Sequence, residues 1–340
     1  MEGAQSAEAV IDNGEFGVHT IRFETGRLAQ QAAGSALVTL DGETVVLSAT
    51  TASKQPKDNL DFFPLTVDVE ERMYAIGRIP GSFFRREGRA TDQAILTARL
   101  IDRPLRPSFP GGFRNEVHVV GTILGADQTN PHDVLSINAA SAALMISGIP
   151  FEGPIGAVRI AYSTEGTWIP HATYPEGDAS TFELVVAGRA LSEEPGADVG
   201  IVMVEAGGTE RAFEYFAEGA PPVTEEVIAN GLEVAKTWIR ESIELQRELV
   251  REAGSKPTIA FTLFVDYGED VYERVIAVGS ERLQSANAIT AKSERSGALD
   301  AATDAIIEEL KVTKVSERAG RAQDHHERNA MQKLRAKGFM

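Results

Sequence analysis

Residues 62–89 read FFPLTVDVEERMYAIGRIPGSFFRREGR, and residues 98–110 read ARLIDRPLRPSFP. The alternation of apolar and polar residues in LTVDVE predicts a strand. GRIPGSFFRREGR, residues 77–89, then combines four arginines, three glycines and two adjacent phenylalanines. TDQAILTARLID, residues 91–102, has the spacing of a short amphipathic helix, capped by Thr91 or Asp92 and stopped by Pro104 and Pro107. The stretch therefore predicts a strand and a helix joined by a basic, glycine-rich loop.

The segments on either side extend this pattern into a mixed α/β domain. Upstream, short apolar or alternating runs between residues 17 and 73 are separated by turn residues, as in consecutive strands. Downstream, EVHVVGTILGAD, GAVRIAYS, TFELVVAG and VGIVMVEAGG predict further strands. DVLSINAASAALMISGIP predicts a helix of small residues that is capped by Asp133 and ended by Gly148 and Pro150. Residues 1–220 are thus expected to form one domain with more strands than helices.

The composition changes at residue 221. Thr224 is placed to cap a long helix, with acidic residues in its first turn and Gly254 after its end. Further helical segments are predicted around 266–280 and 281–310, so residues 221–312 are expected to form an all-helical domain. Residues 313–340 are basic and poor in aliphatic side chains, which predicts a tail that is disordered in part or docks elsewhere.

The composition of the whole chain limits the kinds of function to consider. A chain of 340 residues exceeds the usual size of a single core, and 43% hydrophobic with 24% charged residues is typical of a globular protein. The formal net charge of −17 argues against indiscriminate binding to nucleic acid, so any phosphate-binding surface must be local. The absence of cysteine excludes disulfides and thiolate sites. With no signal peptide and no membrane span visible, a cytoplasmic protein is expected.

Two interpretations of the basic loop remain open on residue types alone. Arg85, Arg86 and Arg89 suit phosphate oxygens, and Phe83 and Phe84 could stack on unpaired bases. The alternative has the phenylalanines in the core and the arginines paired with Glu70, Glu71 and Glu87 on a solvated face. A second basic element follows at Arg99, Arg103 and Arg106.

The joined motifs of residues 62–110 closely resemble the first core domain of bacterial polynucleotide phosphorylases, which belong to the ribonuclease PH-like group. The resemblance continues through INAASAALMISGIPFEGPIGAVRI and LVVAGR, and it covers roughly residues 10–312. IDNGEFGVHTIRFETGRLAQQAAG is most similar to actinobacterial members. The implied fold is α+β, a ribonuclease PH-like (ribosomal protein S5 domain 2-like) βαβ sandwich, followed by the all-α domain of that family.

The resemblance implies an enzyme that shortens RNA from its 3′ end, using inorganic phosphate and Mg²⁺ to release nucleoside diphosphates. In the family three subunits form a ring, so a homotrimer is expected, and the FFRR segment holds incoming single-stranded RNA in the central channel. The residues that the resemblance implies bind RNA are Phe83, Phe84, Arg85, Arg86 and Arg89. From the second basic element we expect Arg103 and Arg106 to bind RNA as well.

This chain also departs from the family's catalytic pattern. The catalytic second core domain of the family has a Gly-Ser-Ser-Ser phosphate loop, whereas PHDVL, from Pro131 to Leu135, offers proline and a negative charge. Its paired aspartates and lysine, which can hold a divalent ion, correspond to Gly177, Glu183 and Val185. We therefore expect no catalytic residue or bound metal in this chain, the chemistry belonging to a second core domain that it lacks.

Two alternatives to an N-terminal half of such an enzyme stay open. One is a non-catalytic RNA-binding or assembly module that acts as a short chain. The other, guanosine pentaphosphate synthesis, is implied only by the actinobacterial resemblance. His325 and His326, with Asp324 and Glu327, are expected to be solvated, and His19, His118, His132 and His171 to be structural.

Overall fold

The computed structural model describes residues 3–56, 60, 62–81, 87–194, 196–265 and 267–311. Within these ranges the strands are β1 (Gln5–Asp12), β2 (Val18–Thr25), β3 (Gly34–Leu40), β4 (Thr44–Pro56), β5 (Leu65–Glu71), β6 (Asn115–Gly125), β7 (Ile155–Tyr162), β8 (Trp168–Pro170), β9 (Phe182–Ala190) and β10 (Val199–Gly208). The α-helices are α1 (Asp92–Leu105), α2 (His132–Ser147), α3 (Tyr174–Asp178), α4 (Ala212–Ala217), α5 (Glu225–Ala253), α6 (Glu269–Asn287) and α7 (Lys292–Lys311). These elements confirm the α+β class.

A six-stranded sheet in the order β1-β2-β3-β4-β6-β5 forms the first layer. Its strands pair antiparallel, except that β5 runs parallel to β6. The alternation of the sequence directs Val38, Val46 and Val119 into the core. The parallel β5–β6 pair requires a crossover, and α1 lies in that crossover beside β5. The basic loop therefore joins the end of β5 to the start of α1.

A second sheet in the order β10-β9-β7-β8 is antiparallel throughout. Helix α2 contacts strands of both sheets and is buried along almost its whole length. Its alanine and serine side chains permit this close packing, and at Gly34 an added Cβ would collide with the carbonyl oxygen of Ala143. Helix α2 is consequently fixed between the two sheets.

The long helix α5 packs against β1, β7 and β9. Ile239 and Ile243 on α5 join Val158, Leu184 and Val186 in one buried cluster. The contacts divide the chain into one compact unit of residues 1–262 and another that begins at Leu263. This division places α5 with the sheets, and it differs from the boundary at 220/221 that the composition favours.

The second unit contains α6 and α7, which pack against each other. Its buried core consists of Tyr272, Val275, Leu283, Ile306, Ile307 and Leu310. No helix in the described part of the chain is both long enough and apolar enough to cross a membrane.

The element boundaries correct several details of the sequence prediction. The hydroxyl of Thr91 accepts from the amide of Ala94, as predicted for the cap of α1, but the helix continues through Pro104 to Leu105. Helix α2 has Pro131 at its cap position, and Asp133 lies inside its first turn. Strand β1 was not predicted, because the polar residues of QSAEAVID obscure its alternation.

Candidate nucleic-acid interface

Four of the implied RNA-binding residues, Phe83, Phe84, Arg85 and Arg86, lie outside the described residues. The chain on either side of them is anchored by two carboxylates. Glu87 accepts a 2.8 Å hydrogen bond from the backbone amide of Met73 and a 3.4 Å bond from the guanidinium of Arg72. Thr91 donates its hydroxyl to Glu71 at 2.5 Å. The C-terminal end of the basic loop is therefore bonded to the end of β5 and the residues that follow it.

The arginines near this loop fall into two groups. Arg78, Arg89 and Arg99 are exposed, and none has an ion pair or side-chain hydrogen bond with another described residue. Arg103 pairs with Glu205 on β10. Arg106 binds both oxygens of Asp102 and donates to the carbonyl oxygens of Phe63 and Leu65 at 3.0 and 3.2 Å. The guanidinium of Arg106 is thus engaged within the protein, whereas that of Arg89 is available to a ligand.

Glu71 links the starts of two helices. Its carboxylate lies 3.1 Å from Nε2 of His132, the first residue of α2, and it also accepts from Thr91, the cap of α1. The hydrogen bond from His132 is the main cause that lowers the pKa of Glu71, with burial acting in the opposite direction. Glu71, Thr91 and His132 are widely separated in the sequence, so no local motif could have indicated this cluster.

The start of α2 is occupied by the protein's own charged groups. Asp133 is 2% exposed, and it accepts from the amide of Val134 at 2.7 Å and from Nη2 of Arg159 at 2.5 Å. Arg159 also reaches Glu183 at 3.2 Å. Burial tends to lower the pKa of Arg159, but Asp133 and Glu183 together raise it. An incoming phosphate at this helix terminus would meet the carboxylate of Asp133.

The three positions aligned with the family's metal-binding and lysine residues do not form a metal site here. Gly177 has no carboxylate, and a Cβ at this position would collide with Glu183. Glu183 is paired with Arg159, and Val185 is 3% exposed in the core. This donor set does not fit Mg²⁺. Among the described residues, no group of three or more histidine and carboxylate side chains is arranged to hold a metal ion.

The histidines within the described ranges have partners in the protein. His19 contacts Asp41 and His118 contacts Asp68, each at 2.7 Å. His171 lies 3.3 Å from the amide oxygen of Asn13, and burial lowers its pKa to about 4. His325 and His326 lie outside the described residues.

Comparison with known proteins places this geometry in a family. Residues 17–150 match the model of the 3′ exoribonuclease family, domain 1. The chain is 58% identical over 295 residues to a polyribonucleotide nucleotidyltransferase of Acidothermus cellulolyticus, covering 87% of this chain. It is 56% identical over 308 residues to one of Salinispora arenicola and 54% identical over 309 residues to one of Mycolicibacterium smegmatis, each covering 91% of this chain.

The matched region is only part of those relatives. The chain spans 37% of the length of the Acidothermus protein, 38% of the Salinispora protein and 40% of the Mycolicibacterium protein. The resemblance to actinobacterial polynucleotide phosphorylases is nevertheless confirmed over the region that the chain shares with these relatives, and residues 17–150 of that region match domain 1 of the 3′ exoribonuclease family.

Proposed function

We propose that this chain supplies the RNA-holding half of a phosphorolytic 3′→5′ exoribonuclease. The observation that carries the proposal is the identity of 54–58% to polyribonucleotide nucleotidyltransferases over 295–309 residues, alignments long enough to include the basic loop and α1. The guanidinium groups of Arg78, Arg89 and Arg99, which have no partner among the residues that the structure describes, support it, because free arginines beside one loop can bind successive phosphates of a single strand. With Phe83, Phe84, Arg85 and Arg86, they would hold RNA without reading its sequence.

The chemistry of this reaction would take place outside the residues of this chain. In phosphorolysis an oxygen of inorganic phosphate attacks the last phosphodiester, the 3′ oxygen of the preceding nucleotide leaves, and a nucleoside diphosphate is released. Such a step needs a cradle for phosphate and a divalent ion to neutralise developing charge. Because Asp133 occupies the start of α2 and Gly177 carries no carboxylate, we assign phosphate and Mg²⁺ to a second core domain.

The assembly and the cellular location follow from the same proposal. RNA held by one basic loop would be guided toward a catalytic centre if three copies enclosed a channel, as a homotrimer does. The composition divides the chain into a first core of residues 1–220, an all-α domain of residues 221–312 and a basic tail of residues 313–340. Because α5 packs against the sheets, we place the end of the independently folding unit after residue 262. A cytoplasmic location would give the protein access to its RNA substrate.

A second candidate function is a non-catalytic RNA-binding or assembly module. The Arg159–Asp133–Glu183 cluster favours it, because these groups occupy the positions that a phosphorolytic centre would need. The two candidates share the binding of RNA and differ in whether a catalytic half is required for the biological role.

Binding of labelled single-stranded RNA to the 340-residue chain tests the shared step. Replacing both Arg85 and Arg86 by alanine should weaken binding and lower the slope of log K against log salt by about 0.7 for each lost phosphate contact. Arg211→Ala is the matched control, since Arg211 is exposed and paired with Glu214 on α4. Equal affinity of the double variant and the wild type would contradict the proposal.

A second assay examines where the chemistry lies. The pure chain is incubated with RNA, inorganic phosphate and Mg²⁺, and nucleoside diphosphates are measured by chromatography. We expect none above a protein-free control. Release of nucleoside diphosphate, abolished by Asp133→Ala or Glu183→Ala, would show that this chain has a catalytic centre and would overturn the assignment.

A further inference from the structure

A pocket of about 320 Å³ lies where the end of β5, the start of α1 and the start of α2 meet. Its size is in the range of small-molecule sites. Its apolar walls are formed by Met73, Ala75, Ile76, Ile123 and Ala126. The turn that carries Ala75 is fixed to β6, because Ala126 donates its amide to the carbonyl oxygen of Ala75 at 3.0 Å. The pocket is therefore built between anchored elements.

The charged side chains that line this pocket are already engaged. Arg72 is paired with Glu70 and Glu87. Glu71 accepts from Thr91 and lies 3.1 Å from His132. An ionic ligand would have to displace one of these partners, so the pocket is suited to a neutral group.

Three neutral polar groups in the pocket have no hydrogen-bond partner among the described residues. Asn130 is 9% exposed, and its Nδ2 donates to Asp127, but its Oδ1 is buried and unpaired. The amide of Gln128 and the hydroxyl of Tyr174 are likewise without a partner. Burial, followed by the charge of Asp133, raises the pKa of Tyr174, which keeps this hydroxyl a donor.

These groups are an acceptor on Asn130, a donor on Tyr174 and the amide of Gln128, and they stand beside an apolar wall. Together they complement a flat, neutral ring that has donors and acceptors on its edge. Nucleobases have this chemistry, and proteins bind unpaired bases by stacking on aromatic side chains and by bonding to their edges. The ring of Tyr174, which is 39% exposed, is available for stacking. The pocket also adjoins the C-terminal end of the basic loop. Arg72, Glu71 and Thr91 line the pocket, and Arg72 bonds to Glu87 in that end of the loop while Glu71 bonds to Thr91 just after it.

We propose that this pocket binds one unpaired nucleobase, presented either by the RNA strand that the basic loop holds or by a free nucleoside. The RNA source rests on the proposed function, whereas the nucleoside source does not. Tyr174 stacks on the base, and Asn130 and Gln128 bond to its edge. A base bound here would fix the position of one nucleotide in an RNA that is otherwise bound through its phosphates.

The test combines a protein variant with RNAs that each lack one base. The affinity for single-stranded RNA is measured for the wild-type full chain and for Tyr174→Ala. The RNAs have one length, and each carries an abasic site at a different position. Stacking is worth about 1 to 3 kcal/mol per base, so loss of the ring should weaken binding of intact RNA about 5- to 140-fold. At one abasic position the wild type and Tyr174→Ala should bind equally. The salt slope should not change, since no phosphate contact is removed.

Two further arms separate the sources of the base and guard against misfolding. Phe213→Ala, which removes an aromatic ring that is 87% exposed on α4, should behave as the wild type with every RNA. Saturation-transfer NMR with adenosine, guanosine, cytidine and uridine tests the pocket alone, and Gln128→Ala should change their order of affinity. Nucleoside binding without RNA binding would support the inference that the pocket binds a nucleobase, and it would refute the proposed function. Two results together would overturn the inference. Tyr174→Ala would bind more weakly than, or equally with, the wild type to the same extent at every abasic position, and no nucleoside signal would depend on Tyr174 or Gln128.

Discussion

Arg159 donates a 2.5 Å hydrogen bond from Nη2 to Oδ2 of Asp133, which is buried in the first turn of α2. The beginning of a helix attracts anions, because its amides are unpaired and its dipole is positive there. In this protein a side chain of the helix itself occupies that position, and an arginine from β7 neutralises it. The same geometry that stabilises the helix start makes it unsuitable for inorganic phosphate.

Arg159→Met should destabilise the first unit by about 3 to 5 kcal/mol, since it leaves the carboxylate of Asp133 buried without a counter-charge. The free energy of unfolding in urea measures this loss. Arg211→Met, at an exposed ion pair, should have a much smaller effect. Adding Asp133→Asn to Arg159→Met should recover part of the stability, and a double variant less stable than Arg159→Met would contradict the explanation.

The stability of the protein should decrease between pH 6.5 and pH 4 because of His171. Burial, and then the neighbouring His19, lower its pKa to about 4, while an unfolded chain has the ordinary value near 6.5. In this interval the unfolded state binds a proton that the folded state does not, so the free energy of unfolding falls as pH falls. A shift of this size corresponds to roughly 3 kcal/mol.

His171→Asn is the variant that tests this dependence. His171 has a φ of 53°, a backbone conformation that asparagine tolerates well. The variant does not titrate, so its stability should vary less with pH between 6.5 and 4 when measured by urea unfolding. An unchanged pH profile would assign the acid sensitivity to another group.

The sequence predicts elements that are set by local pattern more reliably than it predicts contacts between them. The sequence predicts Thr91 or Asp92 as the cap of α1 and Thr224 as the cap of α5, because a capping side chain followed by helical periodicity is a local signal, and the structure has Thr91 and Thr224 in these positions. The same reasoning predicts Asp133 as the cap of α2. Its carboxylate is paired instead with Arg159, 26 positions away. The pairing of Arg106 with the carbonyls of Phe63 and Leu65 is equally non-local, whereas residue type alone favours phosphate binding there.

Gly156→Ala should destabilise the first unit strongly, because a Cβ on β7 would collide with the carbonyl oxygen of Ile239 on α5. Forcing extra atoms into such packing typically costs about 1 to 3 kcal/mol. Gly207→Ala on β10 is the matched control, since no atom lies within 4 Å of its added Cβ. Thermal unfolding of the two variants should separate them, and equal melting temperatures would contradict the close packing of α5.

A chain that ends at Thr262 should fold, whereas one that ends at Ala220 should not. The shorter chain lacks α5, and it exposes Val158, Leu184 and Val186 of the second sheet to water. Two-dimensional NMR spectra report folding directly: dispersed signals are expected for residues 1–262 and collapsed signals for residues 1–220. A well-folded 1–220 chain would favour the boundary that composition suggests over the one that the contacts define.

Arg99→Ala and Arg106→Ala should have opposite consequences, although both arginines lie in the same basic element. Arg106 donates to the carbonyl oxygens of Phe63 and Leu65 and binds Asp102, so its loss should reduce stability by about 1 to 3 kcal/mol. Arg99 is exposed and has no such partner among the described residues, so its loss should change stability by less than about 0.5 kcal/mol.

The RNA affinities of these two variants should follow the reverse order. Removing a free guanidinium from a phosphate-binding surface lowers the salt slope by about 0.7 and weakens binding to all sequences alike. Arg99→Ala should show both effects in a salt titration with single-stranded RNA, and Arg106→Ala, measured where it is folded, should show neither. A larger loss of affinity for Arg106→Ala would mean that its contacts to Asp102 and β5 open when RNA binds, and it would return Arg106 to the RNA-binding surface.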